Sequence, residues 1–560
     1  MSKMTDTFSK ILNDKFLKII AIAIGAIGII FSIAFFIINC FNKDGGKFYN
    51  GYFALILIIM IGLTLYLLRF LLFDKEWKFS RVYLVLALGW GICMQFVMPP
   101  ISGVDEVQQY YSAYHCSNIM MGIKAENLSA NTSSPGSWIQ GESFFYMRAE
   151  DYYNLPYVDV TFPYQYKILS DGHWFHTDDN MKTLVPCYVA PSKASRYLFA
   201  GAGMAIARLL NFGFVGVIFM GRLMNTLSLV AVGWFCLKLL PIGKLQLVTF
   251  ALFPTVLQLC SSYSYDNMSI LISLVLFTLC LYYSQEKVTF HAWDLIILMI
   301  CLVLLIPNKT VYVMFAMWIF MIPLKKWWTD LIISKKWYNY GILAVMVAGA
   351  VVVFRKVVVK YYWRIYSLVV WKGGGEGIEQ DATRQAYSWD YLTEHVGETL
   401  RFTWEGIKVD WWYNIKHVIG SEIGHVMLNA KVPLACTLIF LVLLIIGIAL
   451  SKGHRLKKWQ YVIFALGFIL CLGAIFFGSL MRFTPVEGSQ RVQISYRYLI
   501  PLYMCLSIAL GTDAKEDKKA LALIYLQNIT LMFTMCGLIY FLLHLRDGMP
   551  APEILQGIIG

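Results

Sequence analysis

Residues 82–111 have the sequence VYLVLALGWGICMQFVMPPISGVDEVQQYY, and two features of this stretch decide the fold. Its first part, through Ile101, is mostly apolar and has the length of about 20 residues that an α-helix needs to cross a bilayer. Its second part begins with Ser-Gly and carries two adjacent carboxylates, Asp105 and Glu106. The stretch therefore predicts a membrane helix that ends in an acidic pair at the membrane surface.

The composition of the whole chain agrees with a membrane location. The 560 residues are 58% hydrophobic and only 14% charged, and the mean hydropathy is +0.61. A soluble domain carries about 25% charged residues, so we predict a polytopic, all-α transmembrane protein. The net charge of +13 comes largely from Lys and Arg in short connections between apolar segments. This pattern is typical of the positive-inside rule and argues against nucleic-acid binding.

We predict about thirteen spans, with the N-terminus in the cytoplasm. The spans lie at residues 19–39, 52–73, 82–101, 217–239, 246–263, 267–284, 292–306, 310–324, 338–359, 432–450, 459–479, 497–511 and 519–544. Every connection that this topology places in the cytoplasm is basic. Two long outer loops remain, at 102–216 and 360–431, and loops of this length are usually functional. We expect the apolar stretch 197–212 to be a surface helix, with a fourteenth span as the alternative.

Ionisable residues at the rim of these spans are the candidates for chemistry, because such residues are costly in a membrane and usually functional. A carboxylate can accept a proton from an incoming hydroxyl, and Arg or Lys can hold a phosphate. We predict transfer of a group from a membrane-held phosphate donor. The structural alternative is that these residues only flank spans, pair with neighbours or snorkel. The predicted catalytic residues are Asp105, Glu106 and Asp266, and the predicted donor-phosphate ligands are Lys193, Arg222, Lys309, Arg491 and Arg497.

Other features of the two loops leave more than one interpretation open. The aromatic residues of the first loop could stack on sugars or form an interfacial belt. The Gly run after Trp371 could be a mobile flap or a linker. The spacing of His173, His176, Asp178 and Asp179 is too loose to predict a metal site. We therefore predict no metal ligands and no required cofactor, and a divalent cation is the one cofactor left open. Cys116 and Cys187 could form a disulfide if the first loop is extracytoplasmic.

On these motifs the chain resembles the GT-C superfamily of integral-membrane glycosyltransferases. It resembles more closely a bacterial family of polytopic proteins with the motif Asp-Glu-x-x-His-x-x-Arg-Ala-Tyr. The similar segments are Asp105-Glu106 through Ala113-Tyr114, Gly221-Arg222-Leu223 with Asn225, the Ser-Tyr-Asp that ends at Asp266, Pro307-Asn308-Lys309, and Arg497 through Pro501. Gln109 stands at the family His and Ser112 at the family Arg, which puts any role of that His in doubt.

The resemblance implies a GT-C-like domain at 76–545, preceded by two additional spans at 1–75 and followed by a tail at 546–560. It implies a polyprenyl-phosphate-linked sugar as donor, a bacterial cell-envelope glycan as acceptor, and an inverting single displacement outside the cytoplasmic membrane. Asp105 would be the base and Glu106 would orient the acceptor or donor. Lys193, Arg222 and Arg497 would bind the donor phosphate, and Asp266 would be a second acid in the cavity. We expect no nucleic acid among the partners.

Two other functions fit the sequence. A transporter or flippase of lipid-linked glycan would place ionisable residues and broken helices at the bilayer midplane, often in repeated halves. An envelope polysaccharide polymerase or ligase would share the many spans and large outer loops. A non-catalytic assembly partner is a third alternative. The sequence favours the glycosyltransferase over the transporter because the candidate charges lie at one rim and no repeat is visible.

Overall fold

A computed structural model of the chain describes residues 14–41, 46–73, 75–103, 105–124, 126–127, 143–153, 174–177, 181–186, 191–333, 340, 395–424, 430–450, 453, 455–483, 491–492, 494–513 and 516–543. The helices are α1 (Asp14–Asn39), α2 (Gly46–Phe73), α3 (Phe79–Val97), α4 (Glu106–Met120), α5 (Ala149–Tyr153), α6 (Leu198–Leu209), α7 (Phe214–Leu239), α8 (Lys244–Ala251), α9 (Pro254–Cys260), α10 (Asp266–Tyr283), α11 (Ala292–Asn308), α12 (Leu324–Lys326), α13 (Val396–Ile419), α14 (Leu434–Leu450), α15 (Lys458–Phe483), α16 (Ile500–Leu510) and α17 (Lys518–Leu543).

Shorter elements complete the described part of the chain. Three 3₁₀ helices lie at Pro191–Tyr197, Thr310–Met321 and Tyr496–Leu499, and a π-helix lies at Trp327–Ile333. The strands are β1 (Glu126–Asn127), β2 (Ser143–Arg148), β3 (Lys182–Pro186), β4 (Glu422–Ile423) and β5 (Ala430–Lys431). They form an antiparallel sheet in the order β1-β2-β3 and the separate pair β4-β5.

The helices have the lengths and composition of an all-α membrane protein. Within the described residues, seven are long and apolar enough to cross a bilayer: α1, α2, α3, α7, α10, α15 and α17. Four shorter apolar helical segments, at Ala292–Asn308, Thr310–Met321, Leu434–Ala449 and Tyr496–Leu510, lie where four further spans were predicted. Apart from Tyr340, the predicted span at 338–359 lies outside the described residues.

The predicted span at 246–263 is not one continuous helix. It is divided into α8 and α9, and the helix breaks at Leu252 and Phe253. The cause is Pro254, which lacks a backbone N–H and disfavours the α conformation in the preceding residue. Phe253 accordingly has the extended angles φ −64° and ψ 139°. After the break, α9 leads to the 261–265 segment, which lines the candidate site.

The predicted span at 310–324 begins as a 3₁₀ helix instead of an α-helix. Because a 3₁₀ helix has three residues per turn, side chains at i and i+3 lie above one another. Tyr312, Phe315 and Trp318 follow this spacing, and their rings stack with centroids 5.3 and 4.1 Å apart. Trp318 then stacks on Phe464 of α15 at 5.4 Å. All three aromatic residues are buried, so the stack anchors this segment to the bundle.

The pair α3 and α7 packs closely at the centre of the bundle. The Tyr83 hydroxyl donates to the Leu229 carbonyl at 2.8 Å, and the Gln95 amide donates to the Thr226 hydroxyl at 2.6 Å. Between these bonds, Gly91 faces Thr226 so closely that an added Cβ would lie 2.4 Å from its Cγ2. The absence of a side chain at Gly91 therefore sets the distance between the two helices.

Replacing Gly91 with Leu is expected to destabilise the protein, because β-branched Thr226 cannot rotate away freely. Overpacking of a well-packed core costs about 1–3 kcal/mol. The measurement is the thermal midpoint of the purified protein in detergent. The matched control is Gly62→Leu on α2, where an added Cβ meets nothing within 4 Å. Equal midpoints for the two variants would contradict the close approach of α3 and α7.

The first loop folds against α4 and α6 through a polar cluster outside the spans. The Tyr114 hydroxyl donates to Asp151 at 2.8 Å, and Arg148 donates to the same carboxylate through two nitrogens at 2.6 and 2.9 Å. Arg208 of α6 lies over the Tyr114 ring, 4.2 Å from its centroid. Burial raises the pKa of the Tyr114 phenol, with Asp151 adding to the shift, so the phenol remains a neutral donor.

Helix α6 covers the apolar stretch for which a surface helix was predicted. It has 12 residues, which corresponds to about 18 Å and is too short to cross a bilayer of about 30 Å. One side of it is buried against α7, while Leu198, Ile206 and Leu209 are exposed. These features are those of an interfacial helix.

Of the two loop cysteines, Cys116 is buried, and Cys187 lies outside the described residues.

Several of the basic connections meet at one end of the bundle. Lys326 donates to the Tyr283 carbonyl at the end of α10 at 3.0 Å, and Lys457 pairs with Glu286 at 2.9 Å. Asp266 lies at the other end of α10, which has 18 residues and a length of about 27 Å. Lys326 and Lys457 therefore lie at the opposite end of α10 from Asp266.

Candidate functional site

Four separate chain segments bring charged side chains together at the end of the bundle where α10 begins. Asp105 precedes α4, Asp266 is the first residue of α10, Lys309 follows α11, and Arg497 lies in the 3₁₀ turn before α16. All four were predicted as site residues. Residues so distant in sequence have no local reason to meet, so their convergence is a property of the fold.

Arg497 is the centre of this cluster. Its Nη1 lies 3.3 Å from Asp266 Oδ2, and its Nη2 lies 3.3 Å from Asp105 Oδ2. The two carboxylates differ sharply in exposure, since the Asp266 side chain is 1% exposed and that of Asp105 is 56% exposed. Arg497 itself is buried. A planar guanidinium has enough donors to bridge two carboxylates and still offer N–H groups to a third anion.

Lys309 neutralises the buried carboxylate from the other side. Its ammonium contacts Asp266 Oδ1. It also lies over the Tyr498 ring at 3.5 Å from the centroid and over the Tyr265 ring at 5.1 Å. A cation in this position is held by the ring quadrupoles as well as by the ion pair. Asp266 therefore has two cationic partners and is poorly suited to take up a proton.

Arg196 adds a third cation at the same end of the bundle. Its Nε donates to the Pro307 carbonyl, and its guanidinium lies 5.1 Å from the centroid of the Tyr265 ring. Together with Lys309 and Arg497 it gives three cations near two carboxylates. The excess of positive charge favours an anionic ligand.

The backbone at Asp105 explains why its carboxylate points to Arg497. Asp105 is the N-cap of α4 but makes no side-chain cap hydrogen bond, and its φ of 57° and ψ of 18° lie in the left-handed region. Asp tolerates this conformation better than most residues, although it remains uncommon. An ordinary N-cap would bind its own helix. Here the carboxylate is free of that role and is partly exposed beside the guanidinium.

Glu106 points in the opposite direction, into the protein. Its Oε2 accepts from the Gly103 backbone N–H at 2.6 Å, and its Oε1 accepts from the Tyr263 N–H at 3.0 Å. The residue is only 2% exposed. Glu106 thus joins the turn before α4 to the segment before α10, and the two members of the acidic pair have different surroundings.

Replacing Glu106 with Ala is expected to destabilise the protein, because two buried backbone N–H groups would lose their acceptor. An unsatisfied buried donor costs about 1–3 kcal/mol. Asp105→Ala removes an exposed carboxylate and is expected to leave the thermal midpoint in detergent nearly unchanged. A larger loss of stability in Asp105→Ala than in Glu106→Ala would contradict this division.

Arg222 lies buried beneath the acidic pair and not in the exposed cluster. Its Nε donates to the Ser261 carbonyl at 2.8 Å and its Nη2 to the Met98 carbonyl at 3.1 Å. It also interacts electrostatically with Glu106. Its Nη1 has no hydrogen-bond partner within the described part of the chain. These contacts give Arg222 a place in the scaffold that holds α3, α7 and the 261–265 segment together.

The remaining two predicted phosphate ligands, Lys193 and Arg491, are exposed or partly exposed. Lys193 is exposed on the 3₁₀ turn at Pro191–Tyr197. Arg491 is 42% exposed and lies 3.4 Å from Asp410 of α13.

No group of three or more His, Cys, Asp or Glu side chains that could hold a metal occurs among the residues the structure describes. Of the loosely spaced residues 173, 176, 178 and 179, only His176 is described.

Three tyrosines belong to the cluster and were not predicted. Tyr265 and Tyr498 flank Lys309, and buried Tyr197 interacts with Ser112, Asp105 and Asp266. Burial raises the pKa of the Tyr197 phenol, so it remains neutral beside the carboxylates. Tyr265 is next to Asp266 in the sequence, Tyr498 is next to Arg497, and Tyr197 follows Arg196, so these positions were visible. That these side chains line the site was not visible in the sequence, because adjacent residues on a helix usually point to different sides.

Comparison with known proteins places the chain in a family. Residues 88–506, which are well over half of the chain and include all of the clustered residues, match the family described as "Predicted membrane protein (DUF2142)". No match was found among curated proteins or among solved structures. The chain therefore belongs to the DUF2142 family of predicted membrane proteins, and the charged cluster lies within the matched region.

Proposed function

We propose that the protein is a glycosyltransferase that moves a sugar from a polyprenyl-phosphate donor to a bacterial cell-envelope glycan. The observation that carries the proposal is the partly exposed Asp105 carboxylate beside buried Arg497, which is itself paired with Asp266. This arrangement provides a base and a phosphate-binding cation within one site. Among the described residues, its excess of cations suits a donor whose leaving group is an anionic phosphate.

The reaction would be a single displacement with inversion. The acceptor hydroxyl attacks the anomeric carbon while Asp105 takes up its proton. The bond between that carbon and the phosphate oxygen breaks, and its electron pair leaves with the polyprenyl phosphate. Arg497 and Lys309 stabilise the charge that develops on this leaving group. Asp266 is the counter-ion that fixes both cations in place.

The position of the site supports chemistry on the outer face of the membrane. Lys326 and Lys457 lie at one end of the bundle, and Asp266 lies at the far end of α10 from them. Basic connections are cytoplasmic under the positive-inside rule. We therefore propose that the cluster faces the extracytoplasmic side, where a polyprenyl-linked donor and an envelope acceptor would meet.

A flippase of lipid-linked glycan is the second candidate, because one observation favours it. The helix broken between α8 and α9 leads directly to the 261–265 segment, and transporters use such discontinuous helices at their binding sites. Proteoliposomes separate the two functions. Transfer of labelled sugar from a polyprenyl-phosphate donor to an acceptor glycan supports the transferase, whereas donor translocation without transfer supports the flippase.

A further inference from the structure

Both ring nitrogens of His417, in the last turn of α13, face oxygen acceptors. Nδ1 lies 2.7 Å from the Tyr413 carbonyl oxygen, and Nε2 lies 2.9 Å from Glu422 Oε2. A carbonyl oxygen can only accept, and a neutral imidazole has one N–H. The pair therefore holds one more proton than a neutral His beside an ionised Glu, either as an imidazolium or as a protonated carboxyl.

The surroundings favour the imidazolium. The carbonyl groups at a helix C-terminus stabilise a cation, and His417 lies in the last turn. The titratable groups that face the ring are Tyr413 from the same helix, Glu422 from β4 and Tyr496 from the 3₁₀ turn. From α9 the neighbour is the uncharged Thr255, whose hydroxyl donates to the His417 carbonyl at 2.7 Å. The neighbouring cation on α13, Lys416, lies toward the Trp412 ring.

His417 is connected to the site on two sides. Its ring centroid lies 5.3 Å from that of Tyr496, the residue directly before Arg497. Through Thr255 it also contacts α9, which leads to Asp266. The next turn approaches α9 closely as well, since a Cβ on Gly420 would lie 2.8 Å from Pro254 Cβ. A shift of the His417 ring would therefore be transmitted to the segment that places the central guanidinium.

We propose that His417 is a positioning residue. Its hydrogen bond to Glu422, which contains the extra proton, fixes Tyr496 and thereby holds Arg497 in its anion-binding position. The inference rests on the proposed function in that the anion is the donor phosphate. Without the extra proton, only one ring nitrogen of His417 can donate, so one of the two hydrogen bonds that orient the ring is lost. Anion binding then weakens as the pH rises.

Two variants separate the charge of the pair from its shape. In Glu422→Gln, the amide N–H donates to a neutral His417 and the bond survives without an ionisable partner. In His417→Gln, the stacked ring is lost. The assay is titration of the purified full chain in detergent with farnesyl phosphate, an isoprenoid monophosphate, from about pH 5 to about pH 8, the range in which His side chains generally change charge. His395→Gln, at the exposed start of the same helix, is the matched control.

Wild type and His395→Gln are expected to lose about tenfold in affinity, relative to Glu422→Gln, as the pH rises through this range. Ionisation of farnesyl phosphate affects all variants equally. The informative quantity is therefore the ratio of the affinity of the wild type to that of Glu422→Gln at each pH. His417→Gln is expected to bind about tenfold more weakly than Glu422→Gln throughout. A constant ratio between wild type and Glu422→Gln, or normal binding by His417→Gln, would overturn the proposal.

A second readout does not depend on the ligand. In ¹⁵N-histidine NMR spectra of the wild type, assigned with His417→Gln, both His417 nitrogens are expected to carry protons at neutral pH. A spectrum in which either ring nitrogen is unprotonated and accepts no hydrogen bond would overturn the extra-proton pair. If even the wild type fails to bind farnesyl phosphate while this signature is present, the proposed function is overturned and the ion pair is supported.

Discussion

Replacing Asp105 with Asn is expected to abolish sugar transfer while the protein folds normally. The Asn side chain keeps the shape but cannot take up the acceptor proton, and loss of a general base costs about 10²–10⁴-fold in rate. Folding is expected to be unaffected because Asp105 is more than half exposed and shares Arg497 with the buried Asp266. The measurement is the rate at which labelled sugar passes from a polyprenyl-phosphate donor to acceptor glycan in membrane vesicles.

The matched control for this variant is Asp410→Asn. Asp410 is also paired with an arginine, Arg491, but it belongs to α13, which is not one of the four segments that carry Asp105, Asp266, Lys309 and Arg497. The control is expected to keep at least about half of the wild-type rate, since a partly exposed ion pair contributes only about 0–1 kcal/mol. A similar loss in both variants would mean that the amide substitution acts through general damage to the outer face.

Replacing Asp266 with Ala is expected to have the largest effect on stability. Removal of this buried carboxylate leaves Lys309 without its ionic partner and Arg497 with only the exposed Asp105. Breaking a buried ion pair from one side costs about 3–5 kcal/mol. We expect a marked fall in the thermal midpoint in detergent and in the amount of protein in the membrane.

A double variant tests the cause of this loss. In Asp266→Ala combined with Lys309→Met, the unpaired ammonium is removed and Arg497 keeps Asp105. The double variant is therefore expected to be more stable than Asp266→Ala alone, because replacing a buried ion pair with apolar groups is often nearly neutral. Glu286→Ala, which breaks the exposed pair with Lys457, is the control and is expected to have little effect. A double variant no more stable than Asp266→Ala would contradict the ionic explanation.

The sequence predicted the general architecture because long apolar runs in a bilayer have one solution, a helix that satisfies its own backbone. It also identified Asp105, Asp266, Lys309 and Arg497, because charges at span ends are costly unless they are used or paired. The break at Pro254 and the i, i+3 aromatic spacing from Tyr312 were both visible in the sequence. We predicted continuous spans there because hydropathy does not distinguish an α-helix from a divided or 3₁₀ segment of the same length.

Other parts of the site depend on tertiary contacts that no local pattern contains. Asp105 and Glu106 are neighbours, yet the left-handed backbone at Asp105 sends one carboxylate to Arg497 and the other to Tyr263. The pairing of His417 with Glu422 joins the end of a helix to a short strand. Arg222 looked like a phosphate ligand because it is charged within a span, but its contacts with two carbonyl groups require the folded positions of α3 and the 261–265 segment.

The transfer of a sugar from a lipid phosphate by the Asp105 cluster can be tested in cells. Its most direct test compares cells that depend on this chain with cells that carry Asp105→Asn at equal membrane levels, and measures both the sugar composition of the envelope glycan and the pool of polyprenyl-phosphate sugars. We predict that the variant loses one sugar from the glycan and accumulates the corresponding lipid-linked donor. An unchanged glycan with an unchanged donor pool would contradict sugar transfer at Asp105 and leave the cluster with a structural role.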